Sequence, residues 1–218
     1  QVDIAGNISA NSAANTLTVD TLVPSAPTIT LGTGVSNGAT DAEATATGGV
    51  ITVAGENGAS IVVTLTGQSG AISKTVTGTG GADAIAITEA EVDTLGEGTV
   101  VVSASQTDAA GNAQTVAAAS ASFSIDTVIS APSINAIATD NKANKAESQA
   151  GFSITGKGEV GATVTLTLSS NTTLASGNTA VVVADGNWSV AVAAADIANM
   201  AEGAEVITAK QVDVAGNI

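Results

Sequence analysis

Asp3, Asp108 and Asp213 stand at intervals of 105 residues, each opening the same local sequence, Asp-x-Ala-Gly-Asn. Two further acidic pairs recur in step with them. Asp20 and Asp126 sit in Val-Asp-Thr and Ile-Asp-Thr; Glu56 and Glu159 sit in Gly-Glu-Asn-Gly-Ala and Gly-Glu-Val-Gly-Ala. Carboxylates offer only oxygen ligands. The chain contains no His and no Cys, so the usual ligands of zinc, copper and iron–sulfur sites are missing. Such acids suit a hard ion. Ca2+, which takes about 6–8 oxygens in flexible geometry, fits them better than Mg2+. Catalysis has little to work with: no His, Cys, Arg or Tyr stands beside the carboxylates and lysines. Paired acids can hydrolyse glycosides, but that chemistry also needs a cleft, commonly with aromatic sugar platforms. Aromatics are 1% of the chain, namely Phe123, Phe152 and Trp188. No enzyme is expected.

Charge narrows the partners. Twenty acids face five basic residues, a net charge of −15. No basic surface can neutralise phosphates, so nucleic acid is not an expected partner, nor is anionic lipid. No apolar run approaches the roughly 18–20 residues of a membrane span, so no membrane insertion is expected. The chain lacks an initiator Met and a signal peptide and reads as a piece of something longer.

The elements that must position these acids follow from the repeat. Leu-Thr-Val-Asp from Leu17 matches Phe-Ser-Ile-Asp from Phe123, and Ala-Pro at Pro27 matches Ala-Pro at Pro132. A period near 105 is one domain. The expected division is 1–20 as the last turn and strand of an upstream repeat, 21–126 as a complete repeat, and 127–218 as a second repeat lacking its final strand. Within the complete repeat, β-rich runs near 27–31, 50–54, 60–66, 71–77, 84–88, 98–107 and 115–125 alternate with Gly and Asn turns. One helical turn is expected in 89–98. Seven short strands in one such repeat predict an all-β fold of tandem immunoglobulin-like Greek-key β-sandwiches.

That topology gathers the acids. The turn after the second strand holds Glu56, and the turn after the sixth holds Asp108; both lie at the end where the first strand begins. Asp20 reaches the same end from the preceding strand. Asp126, Glu159 and Asp213 repeat the arrangement, and Asp3 belongs to the joint before. Three carboxylates in one place repel unless a cation joins them. Asn57 or Asn112 can complete a shell. Glu43, Glu91 and Glu97, at the opposite end, can reach the next joint but read more simply as solvated surface. The competing reading of Asp-x-Ala-Gly-Asn is a bare hairpin turn, with Gly111 and Asn112 accepting positive φ. Trp188 is expected as the large core side chain of the second repeat, rather than an exposed sugar-stacking face.

Taken in order, Asp-x-Ala-Gly-Asn, Val-Asp-Thr…Ala-Pro, Gly-Glu-x-Gly-Ala, and Asp-Gly-Asn-Trp-Ser-Val before Ala-Asp-Ile…Glu-Gly resemble the tandem bacterial immunoglobulin-like repeats of giant adhesins. These are the type-I-secreted, RTX-type and biofilm-associated surface proteins. The resemblance covers essentially the whole chain. It implies an extracellular extender segment at the bacterial cell surface, linked to neighbouring repeats, with Ca2+ stiffening the joints at Asp3, Asp20, Glu56, Asp108, Asp126, Glu159 and Asp213. Such a segment projects a distal ligand-binding region for adhesion and biofilm formation. The chain departs from the family where Asn57 and Val160 replace a common Pro. The alternatives are a sugar- or protein-binding module and a surface-layer or self-assembling protein. Head-to-tail strand exchange between copies is a further expectation, with residues 1–20 of one completing the last domain of another.

Overall fold

Along most of the chain, β-branched residues alternate with polar ones, the pattern of strands with one buried face. The computed structural model describes residues 1–200 and 202–218. Its first seven strands are β1 (Thr28–Leu31), β2 (Ile51–Ala54), β3 (Ser60–Thr66), β4 (Ala71–Thr77), β5 (Ala82–Ile85), β6 (Gly98–Thr107) and β7 (Ala119–Ile125). They form two antiparallel sheets, β1-β2-β5 and β4-β3-β6-β7. The inward faces meet in one core, where Ile51, Val53, Ile61, Val63, Leu65, Val100, Val102 and Ile125 are buried.

The sheet to which β4 belongs is settled by a short turn. Gly67 N–H donates to Gly70 O at 2.8 Å, and a turn this tight leaves no chain to cross the sandwich. β4 therefore pairs with β3, Ser60 opposite Thr77 and Thr66 opposite Ala71. β7 begins later than the expected 115. The Gln114 side chain occupies the backbone there: its Nε2 donates to Val116 O and Ala117 O, and its Oε1 accepts from Gln106 N–H. β5 ends earlier than the expected 88, because Thr88 is already the N-cap of helix α2 (Glu89–Leu95).

The second repeat has β8 (Phe152–Lys157), β9 (Thr163–Leu168), β10 (Thr179–Val181), β11 (Asn187–Val192) and β12 (Ile207–Val212), in sheets β8-β11 and β10-β9-β12. Ser133 and Asn135 donate to Lys157 O and Thr155 O, so this stretch lies along β8 as β1 lies along β2. A separate core forms here, with Ile154, Val164, Leu166 and Val190 packed around Trp188. Trp188 is 2% exposed and its indole N–H donates to Lys157 O.

Residues 1–20 are exposed throughout. The turn at Asp3 is formed, closed by a bridge between Val2 and Ile8. The strand expected over 9–20 is not, because a strand without a sheet edge has no partner for its backbone groups.

Candidate metal centre

Alternation along β6 sets the site. Val100, Val102, Ala104, Gln106 and Asp108 are buried at every second position, so the inward row of the strand runs past the core and ends in a polar pair. β12 repeats this with Gln211 and Asp213. The Asp then folds its own turn. Asp213 Oδ1 accepts from Gly216 N–H and Asn217 N–H at 2.6 and 2.9 Å, and Oδ2 from Asn217 Nδ2 at 2.8 Å. Asp108 is held likewise by Ala110 and Asn112, and Asp3 by Asn7. Gly111 has φ +97° as expected. Asn112 does not share a positive φ; its amide nitrogen donates to Asp108 Oδ2 and to the backbone carbonyl of Asp20, so it positions one carboxylate and one linker carbonyl.

At the joint between the repeats the expected acids meet. Asp126, Glu159 and Asp213 each present a carboxylate oxygen within 4.8 Å of the other two. They come from the linker after β7, the turn between β8 and β9, and the turn after β12. Burial raises the Asp126 carboxyl above its ordinary value, and the charges of Asp213 and Glu97 raise it further. Partial desolvation, then the charges of Asp213 and Asp126, raise Glu159 in the same way, although the residue stays exposed to solvent. Asp213 goes the other way: burial opposes ionisation, but the hydrogen bonds from Asn217 and Gly216 outweigh it and hold the carboxyl low. One fixed anion thus faces two reluctant ones, which is what a hard cation relieves.

Both repeats shape this joint. Asp126 N–H donates to Ala39 O at 3.0 Å, and Asn217 Nδ2 donates to Asp126 O at 2.8 Å. Asn37 Nδ2 crosses the joint to Val214 O at 2.7 Å. Gly38, at φ +109°, leaves room where a Cβ would lie 3.2 Å from the Cβ atoms of Ala215 and Asp126. Glu97, expected as solvated surface, reaches the joint and accepts from Thr127 N–H and Thr127 Oγ1.

The other expected residues are not gathered in this way. Asn112 bonds Asp20 O as Asn217 bonds Asp126 O, but the Asp20 carboxylate turns to Leu22 N–H at 3.1 Å. Residues 1–20 are exposed, and although Asn112 ties the Asp20 backbone to the Asp108 turn, the Asp20 carboxylate is not drawn toward Glu56 and Asp108. Among the described residues, Asp126, Glu159 and Asp213 are the one set of three carboxylates so placed. Glu43 and Glu91 serve as caps: Glu43 accepts from Thr40 N–H and Glu91 from Thr88 N–H, and Glu91 also pairs with Lys74 at 2.6 Å. Sequence reasoning missed Gln106 and Gln211. Their signal was present, since Gln precedes the Asp by two residues at Gln1, Gln106 and Gln211.

No protein-family model and no curated protein sequence matches the chain. Among solved structures, it is similar to one concerning host cell surface retention of a 1.5-MDa bacterial ice-binding adhesin. Identity there is 28% and the TM-score 0.46, over 88% of this chain and 60% of that one. It is also similar to a Ca2+-stabilized adhesin that helps an Antarctic bacterium reach out and bind ice. That match has 25% identity and a TM-score of 0.36, over 96% of this chain and 53% of the other. A tetra-tandem repeat from the extending region of a large adhesion protein matches at 24% identity and a TM-score of 0.35, over 88% of this chain and 46% of that one. The chain thus spans about half to three-fifths of these structures' lengths.

Proposed function

We propose that this chain is an extender segment of a bacterial surface adhesin, a spacer whose joints are stiffened by Ca2+, working outside the cell and holding a distal binding region away from it. The observation that carries the reading is the joint itself: Asp126, Glu159 and Asp213 with oxygens within 4.8 Å, in a chain of net charge −15. Asp126, Glu159 and Asp213 would hold the ion, in a field to which Glu97 adds its charge. Asp20, Glu56 and Asp108 would form the equivalent set one repeat earlier once a preceding repeat turned the Asp20 carboxylate toward them, and Asp3 would contribute to the joint before that. The role is structural, not catalytic. Trp188, which a sugar-stacking module would need at its surface, is buried. Among the described residues no helix is long and apolar enough to cross a membrane.

Small-angle scattering tests the spacer. In Ca2+ the chain is expected to be longer and narrower in its distribution of lengths than in chelator; identical profiles would sink the proposal. Strand exchange has its own test. Leu17 and Val19 stand where Phe123 and Ile125 stand in β7, and both are exposed. Paired along β12 of a second copy they would give concentration-dependent oligomers; a monomer at every concentration excludes it.

A further inference from the structure

We infer that Gln211, and Gln106 one repeat earlier, are positioning residues of the acidic joints, acting on Glu159 and Glu56 through the backbone. The inference rests on the proposed cation site. Both amides are almost fully buried, at 3% and 4% exposure, and both ends of each are used. Gln211 Oε1 accepts from Glu159 N–H at 3.1 Å, and its Nε2 donates to Ser130 O at 2.6 Å. Gln106 Oε1 accepts from Glu56 N–H at 2.9 Å, and its Nε2 donates to Ser25 O at 2.7 Å. The same three segments are tied twice: the strand carrying the Asp, the turn carrying the Glu, and the linker after the acidic residue.

The residue before each Glu belongs to the device. A Cβ at Gly158 would collide with Gln211 Oε1, and one at Gly55 with Gln106 Oε1. Gly-Glu and Gln-x-Asp therefore form one unit, in which the small residue admits the amide that holds the next backbone N–H. Glu159 needs this support. It is exposed, and among the described residues its carboxylate accepts no hydrogen bond, whereas Asp213 is held by its own turn. An amide buried this deeply is costly unless both ends are paired, so its place is narrowly defined. Groups that orient ligands in this way commonly alter metal affinity by about 10–100-fold.

The test uses the full chain with Ca2+ titration and Tb3+ luminescence, whose lifetimes in H2O and D2O count the waters on the ion. Gln211→Met keeps the length and removes both hydrogen bonds. It is expected to bind Ca2+ at this joint about tenfold more weakly and to add water to bound Tb3+ as Glu159 withdraws. Unchanged affinity and water count in Gln211→Met, with a binding wild type, would overturn the positioning role alone. A wild type that binds no ion overturns the cation site instead. Should Gln211→Met fail to fold, hydrogen exchange of the wild type decides. A positioning role requires the Glu159 amide to be protected in chelator as well as in Ca2+; an amide protected only after Ca2+ is added refutes it.

Discussion

Asp126 and Glu159 are held above the ordinary carboxylate values of 3.8 and 4.5, and Asp213 below 3.8; the contrast predicts how the metal-free joint responds to acid. Above their raised native values, Asp126 and Glu159 are ionised and oppose folding. As pH falls through those values toward the ordinary ones, the native state takes up protons before the unfolded chain does, and stability rises. Asp213 acts oppositely: its contribution is present above its ordinary value and is lost as pH falls through the lowered native one. In chelator the Asp126 and Glu159 carboxyls are therefore expected to raise the melting temperature as the pH falls from neutral toward the ordinary carboxylate range. Asp126→Asn should flatten that rise and abolish Ca2+ binding at this joint. In Ca2+ the order reverses, because protons compete with the ion. Calorimetric melts across pH, with and without chelator, check all three outcomes.

The recurrent acids divide according to the element that holds them. Glu43 and Glu147, like Glu91 and Asp196, stand at matching places in the two repeats, and each returns to the backbone N–H at the start of a short helix, which explains their repetition without an ion. Thr88→Ala removes the cap of α2 and is expected to cost about 1 kcal/mol, with Ca2+ affinity unchanged. The two cores are expected to melt separately, since their buried side chains form distinct clusters. Trp188→Ala should cost the second repeat about 3–5 kcal/mol and leave the first near its original midpoint. Denaturation followed by circular dichroism would then show two transitions; a single shared shift would contradict independent repeats.

Across the molecule, what relates one repeat to the next is a small polar contact around Asn37, Gly38 and Ala215. Gly38 serves it twice, through its positive φ and through the close approach of Ala215 and Asp126. Gly38→Ala is expected to destabilise the first repeat by about 1 kcal/mol or more and to push Asp126 away from Asp213. Weaker Ca2+ binding and a broader scattering profile in Ca2+ would follow, and binding unchanged from wild type would show that the contact does not set the site. With net charge −15, repulsion between repeats opposes close packing, so a bridging cation, as proposed, would also shift the balance toward an ordered joint.

Much of the fold was legible because strands carry a period of two. Val100 to Asp108 show it directly, and the repeat located each turn a second time. The Asp in Asp-x-Ala-Gly-Asn was legible because the turn is local: Asp and Asn are four residues apart. Gln211 recurs in step with Asp213, but what it and Glu97 bond was not legible, since their partners Ser130 and Thr127 lie 81 and 30 residues away. Residue type and spacing could establish an all-β repeat rich in oxygen ligands. Which acids meet was decided by packing: Asp126 faces Asp213 with its backbone pinned by Ala39 of the preceding repeat and by Asn217 of the following one. Asp20 has similar neighbours in sequence and the matching bond from Asn112, but without a packed repeat before it its carboxylate turns to its own chain instead.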